Sequence, residues 1–142
     1  MSAAPAPLRF AGYAALFNIR DRGGDVIRPG AFGPLDGRRV PLLWQHDPAR
    51  PIGMIETMQE DAKGLRVVGQ VHGTSGTARE AAAMLRDGAI RGLSFGYRVR
   101  QSTPTPGGRG GRPQRELTAL ELVEVSLVTL PMQPGARVIA LR

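Results

Sequence analysis

The amino-acid sequence predicts a mainly β, barrel-like antiparallel domain with one or a few helices. Three observations favour this class: apolar and polar residues alternate with a period of two along much of the 142 residues, one stretch alone has clear helical spacing, and Gly and Pro separate the alternating segments. A chain of this length can bury one hydrophobic core without covalent cross-links. Residues 1–142 are therefore expected to form a single domain, in which residues 1–7 are a flexible N terminus.

Alternation predicts four strands in the first half of the chain, over residues 8–17, 40–46, 52–58 and 65–71. Gly12 interrupts the first strand and marks a bulge. Residues 18–37 are rich in Gly, Pro, Asp and Arg, so they are expected to be mostly loop. Asp47 and Pro48 are expected to turn the chain after the second strand. Gly64 is expected to take a positive φ in the turn between the last two strands.

One helix is marked at both ends. Thr77 and Glu80 have the spacing of a capping box, and Gly88 stands where a glycine commonly ends a helix. The spacing predicts a helix over about residues 78–87. Its apolar face consists of Ala78, Ala81, Ala82 and Leu85.

Strand patterns return in the second half. Residues 93–99 alternate and place Ser94 on the face opposite the aromatic side chains of the same strand. Residues 101–114 contain three Pro and four Gly, which predicts a flexible loop without regular structure. A long strand or strand pair is expected over 115–130, and a last strand over 136–141.

The composition gives no support to metal or cofactor chemistry. The chain has no Cys, which excludes disulfides, thiolate metal sites and a cysteine nucleophile. Its two histidines, His46 and His72, lack metal-ligand spacing, and no phosphate-binding glycine motif leads into a helix. No apolar run reaches the ~20 residues of a membrane span, and the N terminus lacks the pattern of an export signal. We therefore expect no cofactor, no metal and no membrane partner.

The net charge of +7, from 19 Lys and Arg against 12 Asp and Glu, first suggests nucleic-acid binding. However, the arginines are spread along the chain and form no basic run, and only 5% of the residues are aromatic. A basic β-barrel module that binds nucleic acid is therefore an alternative that the sequence does not favour.

Ser94 and His46 are the candidates for a nucleophile and a base. The segment Gly92–Gly96 has the letters of a nucleophile elbow, but a strand pattern follows it rather than a helix. Glycines on both sides of Ser94 would let a substrate backbone approach closely. On these residues alone, a surface serine and a histidine held by a turn explain the pattern better than a catalytic pair does.

Six segments, in this order along the chain, resemble the prohead (capsid maturation) serine proteases of tailed phages and gene transfer agents, a family distantly similar to the herpesvirus assemblins. The segments are residues 25–32, 41–47, 51–53, 64–65, 92–97 and 121–131. Each motif is short, but six in one order are specific, and the resemblance covers about residues 8–140.

The resemblance implies an assemblin-like α+β fold and the roles of three residues. His46 matches the general base, Ser94 the nucleophile, and Glu124 the third member that orients the histidine. Glu121 and Asp47 are the alternatives for the third member. Strand parity places Glu121 on the opposite face of its strand, and Asp47 is adjacent to His46 in the chain and thus poorly placed to orient it.

Two further expectations follow from the same motif. Ser126 shares the strand face of Glu124, and we interpret it as a neighbour rather than as a nucleophile. By analogy with assemblins, the donors of the oxyanion hole are expected around residues 131–133, where Pro131 itself has no N–H to donate.

As a member of this family the chain would be a serine endopeptidase of capsid maturation. It would cleave scaffold protein or the scaffolding segment of the major capsid protein, and also itself, with the loop 101–114 as a candidate self-cleavage site. It would act in the cytoplasm of the bacterial host, inside the assembling procapsid. The non-enzymatic alternative is an inactive structural or scaffold protein of the capsid that keeps the protease fold. The sequence leaves the oligomeric state open.

Overall fold

Strand is the main secondary structure of the residues that the computed structural model describes, 6–105 and 114–142. In these residues the elements follow in the order β1 (Leu8–Leu16), β2 (Asp25–Ile27), β3 (Val40–Trp44), β4 (Asp47–Glu60), β5 (Gly64–Val71), α1 (Gly76–Asp87), β6 (Gly92–Thr105), β7 (Gln114–Val128) and β8 (Val138–Leu141). For this part of the chain, the predicted mainly β class with a single helix is confirmed.

Strand β7 is the hub of the sheet. It pairs antiparallel with β6 along its whole length, from residues 114 to 128. Its other edge is shared, because β2 pairs in parallel with residues 115–117 and β3 pairs in parallel with residues 125–127. From β3 the order continues through β4, β5, β1 and β8, and each of these neighbours is antiparallel. The sheet is therefore mixed, with antiparallel pairs in the majority.

The two ends of the sheet meet and close it into a barrel. The Val138 N–H donates to the Arg91 carbonyl at 2.8 Å, and the Leu93 N–H donates to the Ala136 carbonyl at 2.9 Å. These bonds join the start of β6 to the segment that leads into β8. Closure pairs backbone groups that an open edge would leave exposed.

Aliphatic side chains from the strands fill the interior. Those with less than 2% of their surface exposed include Leu42, Ile52, Ile55, Leu65, Leu93, Leu117, Leu122 and Leu127. Along β5, buried residues alternate with half-buried ones, as expected of a strand with one face on a core.

Helix α1 confirms the predicted helix but begins at Gly76 rather than near residue 78. The cap is Ser75, not Thr77. The Ser75 backbone is extended (φ −65°, ψ 151°), as an N-cap requires, and its Oγ accepts a hydrogen bond from the Ala78 N–H at 3.1 Å. Gly88 ends the helix in the left-handed region (φ 76°), as predicted. The buried face of the helix consists of Ala78, Ala81 and Leu85.

Within residues 6–105 and 114–142, no helix has both the length and the apolar character that crossing a membrane would require.

Strand β2 lies in the segment 18–37, which was expected to be mostly loop. A strand of three residues has no visible period, and its pairing partner lies 90 positions further along the chain. The side chains strengthen this pairing, because the Arg115 Nε donates to Asp25 Oδ1 at 2.8 Å.

The prediction of irregular structure from residue 101 onward is wrong for residues 101–105 and for Gln114. Strand β6 continues to Thr105, and Pro104 stands opposite Arg115 in the β6–β7 hairpin. A proline is tolerated there because, within the described residues, this end of β6 is paired along one edge only, and a residue whose N–H faces the other edge needs no ladder partner. The rest of the predicted loop, residues 106–113, lies outside the described residues.

Two predicted turn features are also wrong. The chain turns at Gln45 and His46, so Asp47 and Pro48 are already part of β4. Gly64 does not have a positive φ. Its glycine is needed for space, because a Cβ there would lie 2.9 Å from the Ala15 carbonyl carbon on the neighbouring strand.

We expect Gly64→Ala to lower the free energy of unfolding by about 1–3 kcal/mol, since the added methyl group meets backbone that cannot move aside without separating two strands. Chemical denaturation monitored by circular dichroism measures this. Gly76→Ala is the matched control, because a Cβ at Gly76 meets nothing within 4 Å. Equal stability of the two variants would contradict the close approach of β1 and β5.

Candidate active site

His46 lies in a two-residue turn between β3 and β4. Trp44 and Asp47 are paired across the hairpin, so Gln45 and His46 are its two central residues, with φ values of +50° and +60°. Turns of this type require positive φ at both central positions and usually contain Asn-Gly. A residue other than glycine in this region costs on the order of 1–3 kcal/mol. The local sequence therefore does not explain the turn, and other parts of the fold must hold it.

The end of β7 holds the backbone of this turn. The Gln45 N–H donates to the Leu127 carbonyl at 3.0 Å, and the His46 N–H donates to the Ser126 Oγ at 3.1 Å. The first bond continues the backbone pairing of β3 with β7 into the turn, and the second joins the turn to a side chain of β7. His46 is thereby placed next to the side chains of β7 that face the same way as Ser126.

Glu124 contacts the imidazole of His46. Its Oε1 lies 2.5 Å from His46 Nδ1, and its Oε2 accepts a hydrogen bond from the Ser126 Oγ at 2.6 Å. The Glu124 residue is buried, with 7% of its surface exposed, whereas 41% of the His46 side chain is exposed. A carboxylate at this position favours the tautomer with the proton on Nδ1, which leaves Nε2 as the basic nitrogen.

Gly96 makes room for the Glu124 carboxylate. The two residues are opposite each other in the β6–β7 pair. A Cβ at position 96 would lie 2.5 Å from Oε1 and 3.0 Å from the carboxyl carbon of Glu124. The sequence had suggested that the glycines near Ser94 serve the approach of a substrate. The structure gives Gly96 a different role, since it leaves space for the side chain that orients His46.

Ser94 lies on the same face of the sheet as this group. It stands opposite Ser126 in the antiparallel pair, and opposite residues project from the same face. Glu124 is two residues from Ser126 and shares that face. The Ser94 residue is 5% exposed, and its Oγ has no hydrogen-bond partner among residues 6–105 and 114–142, although solvent reaches the atom. No hydrogen bond joins this hydroxyl to His46 in this part of the chain.

The other two candidate carboxylates have different partners. Glu121 pairs with Arg100 at 2.5 Å on the surface. Asp47 accepts a hydrogen bond from the Ala49 N–H at 2.9 Å and lies 3.4 Å from the Arg50 guanidinium. The structure therefore brings Glu124 to His46, and places Glu121 and Asp47 in surface ion pairs instead.

Gln133, in the stretch expected to supply oxyanion donors, uses its side chain to fix the fold. The buried amide donates to the carbonyls of Leu16 and Ile19, at 2.8 and 3.1 Å, and accepts from the Leu16 N–H at 2.7 Å. These bonds tie the segment after β7 to the end of β1. The Gln133 side chain is thereby committed to the fold, so it is not available to an oxyanion.

A second polar cluster lies on the opposite face of β6. The Tyr97 hydroxyl donates to Asp25 Oδ2 at 3.1 Å, and Asp25 in turn binds Arg115. Burial and the Asp25 carboxylate raise the pKa of Tyr97 to about 12. The phenol therefore stays protonated at neutral pH and acts as a hydrogen-bond donor that links β6 to β2.

The fold and the site together define the class of this protein: an assemblin-like protease fold that carries a serine, a histidine and a carboxylate on one face of its barrel. Two solved structures share the fold. The KSHV protease in complex with a hexapeptide phosphonate inhibitor has a TM-score of 0.62 at 16% identity, over 94% of this chain and 64% of that one. The varicella-zoster virus protease has a TM-score of 0.55 at 18% identity, over 94% of this chain and 63% of that one.

The model of the caudovirus prohead serine protease family matches residues 3–142, so the chain belongs to that family. The prohead protease of Enterobacteria phage HK97 is 36% identical over 142 residues, which cover 94% of this chain and 60% of that protein. The capsid polyprotein of Pseudomonas phage PAJU2 is 30% identical over 129 residues, which cover 86% of this chain and 18% of the polyprotein. The family resemblance expected from the six motifs is confirmed.

We expect Gly96→Ala to displace the Glu124 carboxylate while leaving the barrel folded, because the added Cβ meets the far end of a side chain rather than backbone. The measurement is proton NMR of the His46 Nδ1–H, whose signal lies far downfield while a short bond to a carboxylate persists. The signal should be lost in Gly96→Ala and retained in Gly76→Ala, where a Cβ has open space. An unchanged signal in both variants would show that Gly96 does not make room for Glu124.

Proposed function

We propose that this chain is a serine endopeptidase of capsid maturation in which Ser94 is the nucleophile, His46 the general base and Glu124 the carboxylate that orients His46. The contact of 2.5 Å between Glu124 Oε1 and His46 Nδ1, on the face where Ser94 stands, carries the proposal. Membership of the prohead serine protease family supports it. The chain spans about three fifths of the HK97 relative. That this chain has the activity of the whole relative is therefore part of the proposal.

The proposed reaction follows the general serine protease scheme. The Ser94 Oγ forms a bond to the scissile carbonyl carbon as His46 Nε2 takes its proton, and the same proton then passes to the leaving amine as the C–N bond breaks. A water that gives its proton to Nε2 next attacks the acyl carbon, and the proton returns to the Ser94 Oγ as it leaves. Glu124 stabilises the imidazolium that forms in each half of the reaction.

The backbone N–H groups of Met132 and Gln133 are the proposed donors to the oxyanion. Both residues line a small cavity together with Ser94. Neither N–H donates a hydrogen bond to any residue in the ranges 6–105 and 114–142. A donor in an oxyanion hole is typically worth about 2.7–4 kcal/mol of transition-state stabilisation.

Capsid proteins are the proposed substrates. The chain would cleave scaffold protein or the scaffolding segment of the major capsid protein, and itself, inside the assembling procapsid in the host cytoplasm. The names of two relatives, a prohead protease and a capsid polyprotein, support this assignment.

The charge excess gives less support to a nucleic-acid-binding module than composition alone suggested. In the described residues, five arginines pair with carboxylates at separate places on the molecule: Arg9 with Glu56, Arg28 with Glu116, Arg50 with Asp47, Arg100 with Glu121 and Arg115 with Asp25. The pairs leave the net charge of +7 unchanged, but they engage these five arginines with carboxylates of the chain itself.

The first test is cleavage of the major capsid protein co-expressed with the chain. Ser94→Ala and His46→Ala should each lower the rate by on the order of 10⁴-fold or more. Reaction with diisopropyl fluorophosphate provides a readout independent of the substrate, because the Ser94 Oγ would bond to phosphorus as fluoride leaves and mass spectrometry would locate the adduct. An inactive capsid protein with the protease fold would show neither cleavage nor an adduct, and unchanged cleavage in both variants would overturn the catalytic assignment.

The second test separates the two carboxylates of β7. Glu124→Gln should lower kcat by about 10³–10⁴-fold with little loss of stability, because an amide at this position favours the wrong tautomer of His46. Glu121→Gln is the matched control, since Glu121 binds Arg100 on the surface, and it should leave kcat unchanged. A larger effect from Glu121→Gln than from Glu124→Gln would show that Glu124 is not the carboxylate that orients His46.

A further inference from the structure

A pair of reciprocal hydrogen bonds joins the His46 turn to the residue that follows β7. The Gln45 Nε2 donates to the Thr129 Oγ1 at 2.6 Å, and the Thr129 N–H donates to the Gln45 Oε1 at 3.1 Å. Both residues are exposed, and in the part of the chain that the structure describes neither side chain has a hydrogen bond to His46 or Glu124. These two bonds attach the Gln45 side chain to the chain just after β7, in addition to the bonds from the backbone of the turn.

The turn has particular need of such a connection. Gln45 and His46 both have positive φ, so each would gain by relaxing to another backbone conformation. The imidazole of His46 is 41% exposed, and it is not enclosed by the core. Within residues 6–105 and 114–142 the ring has one hydrogen bond, to Glu124, so its position depends on that bond and on the backbone of the turn.

We propose that Gln45 and Thr129 form a clamp that positions His46 for proton transfer. The clamp holds the Gln45 backbone in its left-handed conformation. It thereby sets the direction of the His46 imidazole, which belongs to the next residue. Gln45 would be a positioning residue, because it touches neither the reacting atoms nor Ser94. The inference rests on the proposed function of His46 as the general base.

The clamp predicts a loss of reactivity without a loss of affinity for the probe. Gln45→Met keeps the length of the side chain but removes both polar atoms. The rate constant for modification of Ser94 by diisopropyl fluorophosphate should fall by about 10- to 100-fold, because small displacements of a catalytic group have effects of this size. The apparent binding constant of the probe should match that of Gln59→Met, a control at an exposed glutamine of β4 whose side chain has no hydrogen bond in the described residues. The Tm of Gln45→Met should be lower than that of Gln59→Met, because the two lost bonds offset the strain of the turn while the positive φ remains.

Variants of Thr129 test the other half of the clamp. Thr129→Val removes the hydroxyl at nearly constant shape and should slow the modification of Ser94, whereas Thr129→Ser keeps the hydroxyl and should preserve the rate. Because both residues act through one contact, the effects of Gln45→Met and Thr129→Val should be less than additive in the double variant. Full additivity, or equal rates for Thr129→Val and Thr129→Ser, would overturn the clamp.

Gln45→Gly distinguishes positioning from simple stabilisation of the turn. Glycine adopts positive φ without strain, so this variant removes the clamp and the strain together. If the clamp positions His46, Gln45→Gly should keep the Tm of the wild type but modify Ser94 as slowly as Gln45→Met does. Recovery of the wild-type rate in Gln45→Gly would show that the bonds serve only to offset strain, and it would overturn the proposal.

The experiment separates failure of the clamp from failure of the proposed function. If diisopropyl fluorophosphate modified His46→Ala at the wild-type rate, His46 would not be the general base, and the proposed clamp would fail with that assignment. If His46→Ala is inert but Gln45→Met reacts as fast as Gln59→Met, only the clamp is wrong. The downfield NMR signal of the His46 Nδ1–H gives a readout without any substrate: it should broaden in Gln45→Met, and an unchanged signal would also contradict the clamp.

Discussion

The parallel pairing of β3 with β7 joins residues 42–44 to residues 125–127 and fixes where the next turn can lie. Because the turn follows β3 directly, the same ladder brings His46 beside Ser126 and Glu124. On its opposite edge, β7 pairs with β6 and brings Ser94 to the same face. One strand thus aligns three separate segments of the chain, and the barrel closure at the start of β6 keeps that alignment rigid.

The two turn residues with positive φ, Gln45 and His46, lie where several hydrogen bonds join the turn to the end of β7. Two consecutive residues with positive φ would be costly in an isolated hairpin. Here hydrogen bonds from both backbone N–H groups and from the Gln45 side chain offset that cost, and every one of them ends on residues 126–129. The buried hydroxyl of Ser126 bonds to the His46 backbone and to the Glu124 carboxylate, so the proposed base and the proposed orienting carboxylate share one support. The hydrogen bonds that hold the strained backbone of His46 thus belong to the same network that holds its imidazole.

Space is as important to the site as hydrogen bonding. Gly96 leaves the volume that the Glu124 carboxylate occupies, and Gly64 allows β1 and β5 to approach closely on another side of the barrel. In both places the neighbour of the glycine, rather than its own φ, explains the residue. A glycine close to the proposed nucleophile can thus make room for another side chain of the site as well as for a substrate.

Local patterns in the sequence determined most of the strands, helix α1 and its final Gly88, and the order of motifs that identifies the family and points to His46, Ser94 and Glu124. These features depend on residues close together in the chain, where periodicity and spacing are visible. The tertiary structure decided the parallel pairing of β2 and β3 with β7, the left-handed turn at His46 and the bonds between Gln45 and Thr129. Each of these depends on contacts between segments that are distant in sequence, and their register is not recorded in any local pattern.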